Sequence, residues 1–268
     1  MRGMRVRYLV AVGLVSLAAA VTALGENLEF VFDQANFTNP TNINNDYWPV
    51  TSLGSAVYVS EADDGCEVSH MMVSGMFSDF DGEYQDLIAV EVTDREWVDE
   101  ECAGEYVLAE STSDWYGQDD FGNVWYFGED TVAWDDEEDC LSGGGSWKAG
   151  TDGAVAGVVI LGSPFAGASY QQEFFEGAAE DMAKVLRLNA AVETEIGSFE
   201  GCMVTKEYTP LSPGEIEHKF YCRLSQGGYG LTLVNELNGK TRRVEYAGMD
   251  LPPGDFPDEF PTNEACAE

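Results

Sequence analysis

The chain is poor in histidine and in positive charge: two histidines, His70 and His218, and 13 lysines and arginines against 49 aspartates and glutamates in 268 residues. With so few histidines and no Cys-x-x-Cys spacing, a structural or catalytic zinc site is excluded. A Ser-His-Asp triad has no support, because no Gly-x-Ser-x-Gly turn is present to carry the nucleophile. Gly143-Gly-Gly-Ser146 lacks the lysine of a phosphate-binding loop, and no dinucleotide fingerprint occurs. The missing basic face excludes nucleic acid as a partner and disfavours an anionic membrane surface. No repeat of fixed period is found, which argues against a propeller or solenoid.

What is present begins with a targeting pattern. Arg2, Arg5 and Arg7 precede an apolar run from Tyr8 to Val21, and Ala23-Leu24-Gly25 supplies the small residues of a cleavage site. The run is shorter than the roughly 20 residues a spanning helix needs, and no second one follows. Residues 1–25 therefore read as a signal peptide and the rest as a secreted chain, periplasmic if the source is Gram-negative, with no membrane anchor after cleavage. The segment 1–25 holds three arginines and no acid, so its removal leaves ten bases against 49 acids, formally −39. Disorder is the first alternative for so acidic a chain. Aromatic residues at 12% and hydrophobic residues at 44% give it enough apolar surface for a core. Residues 26–250 read as a single β-rich domain, and 251–268 as an acidic tail with Pro252, Pro253, Pro257 and Pro261.

Six cysteines in a secreted chain imply three disulfides. Two strand-like segments flank Thr209-Pro-Leu-Ser-Pro-Gly214, and folding them about Ser212 sets Cys202 opposite Cys222. Cys266 lies near the end of a tail that cannot pack by itself, so it should tie that tail to the body. Cys140, in an acidic Gly-rich loop, is the best partner, which leaves Cys66 with Cys102.

From Ser55 onward, short β-branched and aromatic segments alternate with Gly, Asp, Asn and Pro. Twelve strands are expected: Ala56–Ser60, Glu67–Val73, Gln85–Thr93, Tyr106–Trp115, Val124–Phe127, Val155–Leu161, Tyr170–Phe175, Ala183–Leu188, Cys202–Tyr208, His218–Cys222, Gly230–Leu237 and Lys240–Tyr246. Asn238-Gly239 is a hairpin signal. Only Gly177–Leu188 suits a helix, and its alternation also permits a strand, the reading preferred here. The fold class is all-β and predominantly antiparallel, a partly closed barrel or a sandwich, with at most one short helix.

Residues 114–130 hold the densest mixture of aromatic and acidic side chains, on two arms around an Asp119-Asp-Phe-Gly-Asn123 turn. Asp114 and Glu129 lie on opposite arms beside Trp115, Tyr116, Trp125 and Tyr126. Strand alternation gives the simpler arrangement, Trp125 and Phe127 toward a core and Tyr126 with the acids toward water. The alternative is a sugar-binding or glycoside-cleaving cleft. There Asp114 and Glu129 would be acid and base or nucleophile, with Tyr116, Trp125, Tyr126 and Glu173 around the ligand. Glu217-His218-Lys219 is a charged cluster read as a cross-strand structural network. Between 94 and 139 there are 17 acids and one base, Arg95. A solvated acidic surface adapted to salt explains such a run, and so does weak Ca²⁺ binding, with Asp119, Asp120, Asp135 and Asp136 as candidate ligands. The turn at 119–123 does not have the ligand spacing of an EF-hand.

The segment Gly122–Glu129, Gly-Asn-Val-Trp-Tyr-Phe-Gly-Glu, resembles a motif of a group of secreted, mostly bacterial proteins of uncharacterised function. The likeness extends to Phe37–Pro49, Gly145–Ala154, Tyr170–Glu173, Ala179–Asp181 and Glu217–Tyr221 in the same order. The chain departs from that pattern at the acidic insert Asp135–Cys140, at Leu161-Gly-Ser-Pro164 and at Cys222-Arg-Leu-Ser-Gln226. The resemblance implies a shared scaffold and brings no activity with it.

Two functions follow from the residues. The first is a secreted, non-enzymatic binding or matrix protein that takes divalent cations, Ca²⁺ foremost, or a cationic partner, and needs no other cofactor. The second is an extracellular enzyme acting through Asp114 and Glu129 on a polysaccharide or small aromatic substrate.

Overall fold

A computed structural model describes residues 27–52, 54–62, 65–136, 138–223, 230–236 and 242–266. The proposed signal peptide and the Asn238-Gly239 turn lie outside the described residues, as do 224–226 of the departing turn. The described chain is all-β. Its only helical pieces are 3₁₀ turns at Gln34–Asn36, Val50–Ser52 and Gly82–Tyr84.

The strands are β1 (Ser55–Ala62), β2 (Gly65–Phe77), β3 (Ala89–Asp99), β4 (Val107–Gln118), β5 (Val124–Asp135), β6 (Cys140–Ser142), β7 (Trp147–Lys148), β8 (Val155–Ile160), β9 (Ser169–Gln171), β10 (Glu173–Phe174), β11 (Met182–Thr194), β12 (Gly197–Tyr208), β13 (Glu217–Tyr221), β14 (Leu231–Glu236) and β15 (Arg242–Gly248). They form one antiparallel sheet in the order β10-β8-β5-β4-β3-β2-β1-β15-β14-β13-β12-β11-β9, with β6 and β7 beside β5. Its two ends are consecutive in the chain. β9 pairs with β11, β10 pairs with β8, and Gln172 alone separates them, so the sheet curls into a nearly closed barrel. Gly157 permits this corner: a β-carbon there would stand 2.5 Å from the Gln172 carbonyl.

Each expected strand is present, with different bounds. β3 starts later than expected, because Gly82–Tyr84 turns and buries Tyr84 and Leu87, and it runs on through Asp94–Asp99. β5 extends to Asp135 rather than stopping at Phe127. The segment expected as Tyr170–Phe175 is divided at Gln172, and Gly177–Leu188 contributes the start of β11 and no helix.

Both faces of the β4–β5 ribbon are covered. On the outer face Trp125 and Phe127 stack, and Phe32 and Phe37 of the N-terminal segment meet both at steep angles. Trp115 stacks on Phe77 at 4.0 Å. Farther along, Trp48 spans the interior. Its ring lies 6.0 Å from Tyr116 on β4 and 6.1 Å from Tyr221 on β13, strands on opposite sides of the ring.

Disulfides join Cys66 to Cys102, Cys140 to Cys266 and Cys202 to Cys222, the same three pairs drawn from the sequence. The hairpin register sets Met203 against Tyr221, one step from the last bridge. The tail is bound along the outside of the barrel. Phe256 stacks on Tyr106, Trp97 Nε1 donates to the Pro257 carbonyl, and Asp258 pairs with Arg95. Such bridges belong to an oxidising, extracellular-type environment. No helix among the described residues is long and apolar enough to cross a membrane.

Cys202 and Cys222 are 20 residues apart, and closing a loop of that size stabilises a chain by about 3 kcal/mol. Replacing both by serine should lower the melting temperature, and lower it further in dilute buffer than in high salt, where acidic self-repulsion is screened. A melting temperature that falls equally in both buffers would contradict the repulsion argument.

Candidate functional site

Strand alternation sends every second side chain into the barrel, and a cavity of about 270 Å³ remains there. Carboxyls reach it from around the ring: Asp94 on β3, Glu110 and Asp114 on β4, Glu129 on β5 and Glu207 on β12. Among the described residues the only base on its wall is Lys219 of β13.

Glu129 points inward because the strand is bulged. Asp114 faces Glu129, but two positions on Tyr116 faces Tyr126, so β5 carries an extra residue in between. Without it, Tyr126 and Glu129, three apart, would project to opposite faces. Gly128 supplies the bulge with φ +132°, and a β-carbon there would meet the Trp147 carbonyl oxygen at 2.3 Å.

The consequence is a bridge. Tyr126 Oη lies 2.5 Å from Asp114 Oδ1 and 2.8 Å from Glu129 Oε2. A phenol carries one proton and can satisfy one of these carboxylates. The other contact is best made with a proton on the carboxyl, so the arrangement favours keeping one of Asp114 and Glu129 protonated. Burial, together with the neighbouring acids, acts in the same direction. Burial raises Asp114 well above the usual aspartate range, helped by Asp94, Glu129 and Glu110 and opposed by the Tyr126 hydrogen bond. It pushes Glu129 up to about 7, and Asp94 up to about 6. Glu173, which accepts from Trp147 Nε1 at 3.0 Å, rises to about 8 through burial and the charges of Asp181 and Glu129. Glu96, next inward on β3, is raised by burial and by Glu67, Glu110 and Asp94.

The opposite wall is balanced. Lys219 Nζ lies 3.1 Å from both Glu207 and Glu217, and Glu207 also accepts from Thr205 and Tyr221. Burial would lower Lys219, but Glu207 and Glu217 hold it well above the usual lysine range. Among the described residues no base pairs with Asp94, Glu110, Asp114 or Glu129. Arg95, adjacent to Asp94, points to the outside and to the tail.

The residues singled out in the sequence divide accordingly. Asp114, Tyr116, Tyr126, Glu129 and Glu173 come together at the interior. Trp125 does not: it turns to the outer face, where its Nε1 donates to Asp119 at 2.9 Å. The phenol oxygen between Asp114 and Glu129 also fills the gap that a glycosidic oxygen would need, so their convergence is that of a shared-proton pair. Asp119 is spent on its own turn, accepting from the Phe121 and Asn123 backbone, the Asn123 amide and Trp125. Asp120 accepts from Thr38. Asp135 accepts from Glu138 N, and Asp136 is exposed. The first pair precedes β5 and the second lies at its far end, so its 12 residues set them on the order of 35 Å apart, and they do not form one cation site. Glu217 and Lys219 share the inner network, while His218 faces outward, where burial, Lys206 and Arg187 lower its pKa. Asp94, Glu110, Gln172, Glu207 and Tyr221 were not identified from the sequence. Even spacing along β4 (Glu110, Thr112, Asp114, Tyr116) was the available signal.

Comparison with protein-family models, curated proteins and solved structures finds no match to this chain. A functional reading therefore rests on the geometry.

A carboxyl whose folded-state pKa is raised binds its proton more tightly in the native than in the unfolded chain. Its contribution to stability is complete below the unfolded pKa of about 4 and is lost as pH rises through the folded value. With Asp94, Glu129 and Glu173 at about 6, 7 and 8, the cation-free protein should melt lower at about pH 8 than at about pH 5, and Glu173→Gln should reduce the difference. A melting temperature that rises over this range would contradict the assignment.

Proposed function

We propose that the protein is a secreted, non-enzymatic binding protein whose barrel interior takes a cation in exchange for protons. One observation carries this reading: four carboxyls, Asp94, Glu110, Asp114 and Glu129, face one cavity with no basic partner among the described residues. Without a cation such a wall reduces its own repulsion by keeping protons. A bound positive charge stabilises the ionised carboxyls and displaces those protons, so binding and proton release are linked. Ca²⁺ is the simplest inorganic occupant, since carboxylate and carbonyl oxygens are its ligands. Three disulfides and the N-terminal targeting pattern support an extracellular setting. The remaining surface acids contribute a long-range field that concentrates cations near the molecule.

Protein in unbuffered solution near pH 7 should release protons when CaCl₂, MgCl₂ or a primary ammonium salt is added separately at millimolar concentration, with at least one of the three giving a saturable signal. Glu129→Gln should diminish the release. The absence of saturable release with all three cations would overturn the reading.

A further inference from the structure

The cavity has a second kind of wall. Trp48, Met71, Val159, Ile160 and Leu231 give it an apolar side. Among the neutral polar side chains that also line it are Tyr116, at 8% exposure, and Gln172, at 6%. Neither the Tyr116 hydroxyl nor the Gln172 amide makes a hydrogen bond to any described residue, although their neighbours Tyr126, Tyr221 and Thr112 are all bonded. Their polar atoms open onto the cavity rather than into packed protein, so they are available to bond whatever it holds.

A hard inorganic cation uses only part of this site. Ca²⁺ takes six to eight oxygens and gains nothing from an apolar wall. An organic cation uses all of it. An ammonium group donates to the acidic wall, its carbon body lies on Trp48, Ile160 and Leu231, and aromatic faces at Trp48 and Tyr116 favour positive charge nearby. Tyr116 and Gln172 can bond a hydroxyl or carbonyl on that body. A ligand carboxylate is unwelcome, because Lys219, the one base among the described lining residues, already has two carboxylate partners. The volume of about 270 Å³ equals about nine waters at liquid density, which suits an organic molecule of about that many non-hydrogen atoms.

We propose that the barrel interior is a binding site for a small organic amine, an ammonium group on an apolar, often aromatic, body. The proposal rests on the cation reading above and names the class of cation. The acidic wall holds the charge, the apolar wall holds the body, and Tyr116 and Gln172 distinguish amines that carry a further polar group.

The test is calorimetric titration of the disulfide-bonded protein with 2-phenylethylamine, with its neutral counterpart 2-phenylethanol, and with CaCl₂. The amine should bind saturably and release protons. The alcohol should bind at least about tenfold more weakly, the factor corresponding to about 1.4 kcal/mol. Asp94→Asn and Glu110→Gln should each weaken the amine several-fold without altering the alcohol, and Met72→Ala, a change outside the cavity, should alter neither. Equal binding of amine and alcohol would overturn the proposal in favour of a neutral polar ligand. Saturable proton release by CaCl₂ with no binding of the amine would overturn it while leaving the cation reading intact. No binding by any of the three would remove both.

Discussion

A closed sheet with carboxyls on its inner face must dispose of their charge. Lys219 neutralises part of it, through Glu207 and Glu217. The wall formed by Asp94, Glu110, Asp114 and Glu129 has no such partner among the described residues, and like charges at close range in a poorly hydrated interior repel strongly. Two outcomes relieve this: some of the carboxyls keep protons, or a cation enters. The Tyr126 bridge favours the first, since one phenol proton cannot fully satisfy both Asp114 and Glu129. Much of the architecture maintains this interior. The Gly128 bulge turns Glu129 inward, the corner at Gln172 closes the sheet, and Trp48 spans the space between β4 and β13.

The outer face does the work of an ordinary core. Rings from the N-terminal segment cover Trp125 and Phe127, and the C-terminal tail, fixed by Cys140–Cys266, lies over Trp97 and Tyr106. This outer covering adds to the apolar packing inside, so a ligand-sized space within the barrel does not remove the hydrophobic stabilisation that holds the strands.

The strand pattern was largely legible from turn residues and β-branched runs, and the disulfides from hairpin register and from the tail's inability to pack alone. Two features misled. The expected strands stopped at Thr93 and Phe127 and the acids beyond them read as a solvated surface, whereas β3 and β5 continue through Asp94–Asp99 and Glu129–Asp135 with alternate side chains turned into the barrel. Simple alternation also assigned Tyr126 and the acids to water, whereas they meet inside the barrel, and Glu129 shares that face with Tyr126 only because a one-residue bulge reverses the parity of everything beyond it. Gly128 was visible, but nothing local shows that the Trp147 carbonyl occupies the place a β-carbon would take there. The partners of the site, Gln172, Glu207 and Lys219, come from strands distant in sequence, and only closure of the sheet brings them together.

The central claim is that the cation-free interior stores protons on carboxyls near neutral pH. Infrared difference spectroscopy reads protonated carboxyls directly through their carbonyl stretch, and Asp114→Asn, Glu129→Gln and Glu173→Gln assign the bands. At pH 7 the cation-free protein should show protonated-carboxyl bands that these substitutions remove and that a saturating cation bleaches. A spectrum in which every carboxyl is already ionised at pH 7 would contradict the account.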